Sequence, residues 1–287
     1  MSHPILVVLL AALVFVLFIT TRYIKPHVST HTPTPTTSPM ARLDSSWQLV
    51  FSDEFNGSEL DTTKWITSFP WGRSGANPDE LQYYAEDAFE FANGIHRIRA
   101  EKRSMAGYEY TSGIITSYGK FHLTYGYIEI RAKMPQGKGL WPAFWLLPVD
   151  QDWPPEIDIF EILGHETNTV YMTNHWSSET EEHVFVQEVH VGPDFSQGFH
   201  TFAVESDPSE IIWYIDGVER FRSNQGIPAE PMYLLVNLAV GGEWPGNPDE
   251  TTPFPAYLEI DYIRAYQRSY GYHLWLPIVL NPPKTAS

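Results

Sequence analysis

Glu156-Ile157-Asp158-Ile159-Phe160-Glu161 places three carboxylates inside an otherwise apolar hexapeptide. Acids on an amphipathic strand ordinarily form a solvated outer face, and that reading has to be weighed first. A strand sends successive side chains to opposite faces, so Glu156 and Asp158 share one face and Ile157 and Ile159 the other. Strict alternation would put Glu161 on the apolar side. One extra residue, a β-bulge, returns it to the acids. Three neighbouring carboxyls cannot all ionise freely, so their pKa values separate into acid and base roles.

The flanking residues favour chemistry over a solvated face. Trp153-Pro154-Pro155 precedes the acids, and Gly139-Leu140-Trp141-Pro142-Ala143-Phe144-Trp145 forms the strand before them. Acids beside tryptophans describe a cleft that grips sugar rings by their apolar faces. Trp141 and Trp145 are four residues apart and so share a strand face; stacking on sugar is expected from one or both, against core packing for the other.

The elements needed to hold such a cleft are strands. Residues 127–134 alternate, and residues 257–266 do so again. Residues 211–215 and 218–221 flank Asp216-Gly217, the signature of a two-residue hairpin turn. Residues 232–240 are nearly all apolar, as in a strand covered on both faces. No helical period competes between Trp47 and Gln267, so a large antiparallel sandwich is expected.

Composition agrees. Hydrophobic residues make up 43% of the 287, enough for a core, and aromatics reach 15%. The formal net charge of −17 disfavours phosphate backbones, so no nucleic-acid partner is expected. There is no cysteine, which excludes disulfides and thiolate metal sites. Residues 5–19 form an apolar run, residues 26–40 are rich in Thr and Pro, and residues 270–287 hold a short apolar stretch.

The ordered motifs resemble glycoside hydrolase family 16, and within it the bacterial laminarinases, endo-β-1,3-glucanases. They comprise residues 51–57 (FSDEFNG), 79–84 (DELQYY), 110–113 (YTSG), the GLWPAFW strand, EIDIFE, His175-Trp176, residues 237–242 (NLAVGG) and residues 261–266 (DYIRAY). The resemblance implies an all-β fold, a β-jelly roll sandwich of the concanavalin A-like lectin/glucanase type, with two curved antiparallel sheets. It implies Glu156 as nucleophile, Glu161 as general acid/base, and Asp158 as the hydrogen-bonding partner of the nucleophile. The two-residue spacer before Glu161 is similar to the bulged, laminarinase-type strand rather than the lichenase type.

Substrate contacts are expected from Trp141, Trp145, His175, Trp176, Glu80, Gln82 and Trp244. Asp79 stands where relatives often have Asn, which puts the contacts of that loop in doubt. Pro155, where many relatives have Gly, fits the start of a strand. The resemblance also implies a structural calcium ion on the convex side, not needed for catalysis, held by Asp261, the carbonyl of Gly94, and Glu54.

The organisation expected is a signal peptide or signal anchor over 1–25, a linker over 26–43, the catalytic domain over 44–268, and a tail of unassigned role over 269–287. Arg22 and Lys25 after the apolar run favour a cytoplasmic domain by charge. A polysaccharide substrate argues for export, so an extracellular or cell-surface monomer is expected, with membrane anchoring through the N-terminal segment an option. Alternatives are another β-glycan hydrolase (mixed-linkage glucanase, agarase or carrageenase), a wall-glucan transglycosylase, or a non-catalytic glucan-binding protein. The acidic surface disfavours sulfated carrageenan, and the three retained acids disfavour a non-catalytic role.

Overall fold

The computed structural model describes residues 44–269 and the backbone of Arg22–Tyr23. The expected signal segment, the linker and most of the tail lie outside the described residues. No helix among the described residues is long and apolar enough to cross a membrane.

The described residues fold into strands without an α-helix. A seven-stranded sheet runs in the order β1 (Arg22–Tyr23), β12 (His183–Val191), β11 (Thr169–Ser177), β10 (Glu156–Glu161), β9 (Leu140–Pro148), β16 (Met232–Val240) and β7 (Ile114–Thr116). An eight-stranded sheet runs β15 (Val218–Ser223), β14 (Ile211–Ile215), β13 (His200–Ser206), β8 (Gly126–Lys133), β17 (Ala256–Arg268), β5 (Ile95–Ala100) and β4 (Phe89–Ala92), with β2 (Trp47–Asp53) also paired to β17. Apart from the two residues of β1, both sheets pair antiparallel throughout. This is the expected jelly-roll sandwich. A short parallel pair, β3 (Gln82–Tyr84) and β6 (Tyr110–Ser112), completes the strands.

The Asp216-Gly217 turn behaves as its residues dictate. Both take positive φ, 51° and 71°, which suits the twist of a two-residue hairpin. β16 is buried along its whole length, as its unbroken apolar run requires.

The core lies between the sheets. Phe144, Leu146, Ile157, Leu234 and Val236 from the seven-stranded sheet meet Ile128, Ile130, Phe202, Val204, Trp213 and Ile260 from the other. Each fully buried side chain of this size contributes about 1.5–3 kcal/mol. The opposite face of the seven-stranded sheet carries a second apolar cluster that includes Ala143, Trp145, Leu147, Tyr233 and Leu235. That outer face forms the floor of a groove.

Candidate active site

The register of β10 shifts where the sequence requires it. Against β11, Glu156, Ile157 and Asp158 face His175, Asn174 and Thr173, and the next pair is Glu161 with Tyr171. Against β9 the shift falls between Asp158 and Phe160. Ile159 and Phe160 are both buried in the inter-sheet core. Their combined burial drives the bulge, because it satisfies two apolar residues at once and turns Glu161 outward. Beside the shift, the Asp158 carbonyl accepts the indole N–H of Trp213 at 2.8 Å, so the opposite sheet pins the irregular backbone.

All three acids open into one groove of about 750 Å³. Trp71, Trp141, Trp145, Trp153 and Trp244 line it, together with Tyr171, His175, Phe185, Glu80 and Asn237. Glu156 accepts the indole N–H of Trp153 at 2.7 Å. Glu161 accepts that of Trp141 at 3.1 Å. His175 Nε2 lies 3.1 Å from Asp158 Oδ2 and 3.9 Å from Glu156 Oε1.

Burial pushes the Glu156 carboxyl up to about 8, and the neighbouring Asp158 charge adds to it. His175 and the Trp153 N–H oppose that push. Water around Glu156, whose side chain is 18% exposed, moderates it further. Asp158 is also raised by burial, while a hydrogen bond shared with Glu156 favours its ionised form. Glu161 is raised by burial and then by both other carboxylates, which suits it to hold a proton. Burial holds His175 below the usual imidazole range.

The other expected contacts divide. Trp141 and Trp145 both line the groove, and Trp145 is fixed by donating to Asn237 Oδ1 at 2.8 Å. Trp244 lines the groove and meets Trp141 and Tyr171 edge to face, with centroids 5.4 and 4.7 Å apart. Its loop turns through Gly241 (φ +76°), where a Cβ would sit 2.5 Å from Leu81, and is tied down by Asp79, which accepts the Glu243 N–H. Asp79 therefore shapes the groove from outside it.

Glu80 borders the groove but is held by the Asn77 backbone N–H, the Asn77 amide and the Gln82 amide. Gln82 is fully buried and receives the Val240 N–H. It supports the wall and does not reach the groove, which corrects the expectation of a substrate contact. Trp176 is a second correction. It follows His175 on a strand and so points to the other face, where its ring covers Gly226.

The expected calcium ligands are otherwise engaged. Arg264 grips both Glu54 oxygens, at 2.8 and 2.7 Å, and Arg131 pairs with Asp261. A hard cation there would meet two guanidinium charges, so these side chains do not fit the ligand set expected of them. Among the described residues, the acids and histidines whose ligand atoms do converge are Glu156, Asp158 and His175, within 4.8 Å.

Three contributors were not among the expected contact residues. Trp153 is 54% exposed and bonded to Glu156; its position three residues before the strand was the available signal. Trp71 stacks on Phe69 at the groove edge, with centroids 4.4 Å apart. His183 touches His175 across the β11–β12 hairpin, which no local pattern announces.

A sandwich with a solvent-facing groove, tryptophan walls and acids on a bulged strand defines a carbohydrate-active jelly roll. The chain belongs to glycosyl hydrolases family 16, whose model matches residues 82–264. It is 40% identical over 240 residues to the endo-1,3-1,4-beta-glycanase ExsH of Rhizobium meliloti, covering 76% of this chain and 51% of that one. The chain thus spans about half the length of the first curated relatives it matches. The catalytic domain of an endo-1,3-beta-glucanase (laminarinase) from Thermotoga petrophila superposes with a TM-score of 0.70 at 40% identity, covering 78% of this chain and 98% of that one. The endo-beta-1,3-glucanase of Pyrococcus furiosus gives 0.71 at 36% identity, covering 78% and 95%.

Proposed function

We propose that the chain is a retaining endo-β-1,3-glucanase that cleaves internal bonds of laminarin-type β-glucan as a monomer. The observation that carries this reading is the bulge that turns Glu161 into a tryptophan-lined groove beside Glu156 and Asp158. Likeness to laminarinase catalytic domains over nearly their whole length supports the substrate class.

Glu161 gives its proton to the leaving glycosidic oxygen. Glu156 attacks the anomeric carbon as that C–O bond breaks, and a glycosyl ester forms. The ionised Glu161 then takes a proton from water, whose oxygen displaces Glu156 with net retention. Asp158 tunes Glu156 by sharing its proton in the resting groove. The Trp141 N–H steadies Glu161 when it is ionised between the two steps.

A mixed-linkage glucanase is the second reading, favoured by the relatives named endo-1,3-1,4-beta-glycanase. Incubation with laminarin and lichenan followed by product sizing separates the two; intact laminarin beside cut lichenan overturns the linkage assignment. Glu156→Gln is expected to abolish turnover and retain laminarin binding, and proton NMR of the first product to show the β anomer. An active variant, or an inverted anomer, refutes the double displacement. The same reading places the enzyme outside the cytoplasm or on the cell surface, and cell fractionation checks it.

A further inference from the structure

His175 touches two kinds of partner. Its Nε2 faces the acids, 3.1 Å from Asp158 Oδ2 and 3.9 Å from Glu156 Oε1. Its Nδ1 lies 2.9 Å from Nε2 of His183. A neutral imidazole carries one N–H and one lone pair. With the proton on Nδ1, the Nε2 lone pair would oppose the carboxylate oxygens. With the proton on Nε2, it donates to Asp158, and Nδ1 then needs a donor.

We propose that His183 is a positioning residue that fixes the working tautomer of His175. Its Nε2–H donates to His175 Nδ1, which leaves the His175 proton on Nε2, aimed at the acids. That N–H donates to Asp158 and faces Glu156, so it favours loss of a proton from the carboxyl pair, which an ionised nucleophile requires. Among the described residues, the titratable groups facing this imidazole pair are Asp158 and Glu156 on β10. Two aromatic rings also pack here: Trp153, 4.6 Å from the His183 ring, and Phe185, 5.5 Å from the His175 ring. The two histidine rings lie 5.1 Å apart at 20°. Trp153 therefore joins both parts of the device, donating to Glu156 and packing on His183.

The inference rests on Glu156 and Glu161 as the catalytic pair, and it is tested by His183→Phe and His183→Gln in the full chain. Phenylalanine keeps the packing and removes the donor; glutamine restores a donor. Loss of one hydrogen bond of this kind is expected to lower kcat about threefold to tenfold, with KM little changed. The acid limb of the kcat profile should move to higher pH in His183→Phe and return toward wild type in His183→Gln. Nitrogen NMR of ¹⁵N-histidine-labelled protein, with His175 assigned by its loss in His175→Asn, should show protonated Nε2 in wild type. In His183→Phe it should show a mixture.

Protonated Nδ1 in wild type, or an unmoved pH limb together with an unmoved tautomer in His183→Phe, overturns the proposal. The NMR reads the tautomer without turnover, so its failure is distinct from failure of the catalytic assignment. An active Glu156→Gln would overturn that assignment alone.

Discussion

Trp153→Phe isolates one hydrogen bond to Glu156, the proposed nucleophile. The phenyl ring keeps an aromatic face in the groove, and the N–H that Glu156 Oε2 accepts at 2.7 Å disappears. A hydrogen bond to a charged acceptor is worth about 1.5–3 kcal/mol. Trp153 is 54% exposed, so water competes for Glu156, and the lower end, about 1.5 kcal/mol, applies. At about 1.4 kcal/mol per pKa unit, Glu156 should rise by about one unit. Glu156 attacks in its ionised form, so the acid limb of kcat/KM on laminarin should move about one pH unit higher. On that limb the variant should run about tenfold slower than wild type, and near the plateau the two should converge. The assay is initial-rate reducing-sugar release across pH. A raised KM with an unmoved acid limb would mean that Trp153 only stacks on sugar, and would refute the reasoning.

Three further outcomes follow from sites away from the groove. His96 is buried among Phe55, Phe89 and Phe91 with no hydrogen-bond partner among the described residues, and burial depresses its pKa from 6.5 to about 3. The unfolded chain protonates below pH 6.5 and the folded one only near 3. Its contribution is therefore complete above pH 6.5 and lost as pH falls, by about 2 kcal/mol at pH 5. His96→Phe should flatten the drop in Tm between pH 7 and pH 5, and an unchanged drop would sink the assignment. Gly226→Ala would place a Cβ 2.1 Å from the Trp176 ring at φ +58°. Its Tm should fall, by about 1–3 kcal/mol of stability, with KM for laminarin retained. Because Glu54 and Asp261 are held by arginines, EDTA should leave Tm unchanged, and a clear drop would restore the calcium site.

The legible part of the site was whatever the period of two could express. It placed Glu156 with Asp158 and called for the bulge before Glu161, and it joined Trp141 to Trp145. The same period forbids adjacent residues from sharing a face. Reading His175 and Trp176 together as groove residues broke that rule, and the structure separates them. Gln82 failed for another reason: an amide near a groove can turn inward when a buried carboxylate and a backbone N–H need it, and motif position does not report that need.

The sequence by itself determined the strands that alternate cleanly or run unbroken apolar, the hairpin at Asp216-Gly217, the bulge and the chemistry its acids can perform. Each depends on side-chain alternation or local backbone preference over a few residues. Tertiary structure decided the neighbours. It set the Trp153 indole on Glu156, His183 against His175, Trp213 on the Asp158 carbonyl, and arginines on Glu54 and Asp261. Apart from Trp153, these partners come from other strands or the opposite sheet. Strand register and sheet packing fix such meetings, and both are settled by burying the whole core rather than by any one segment.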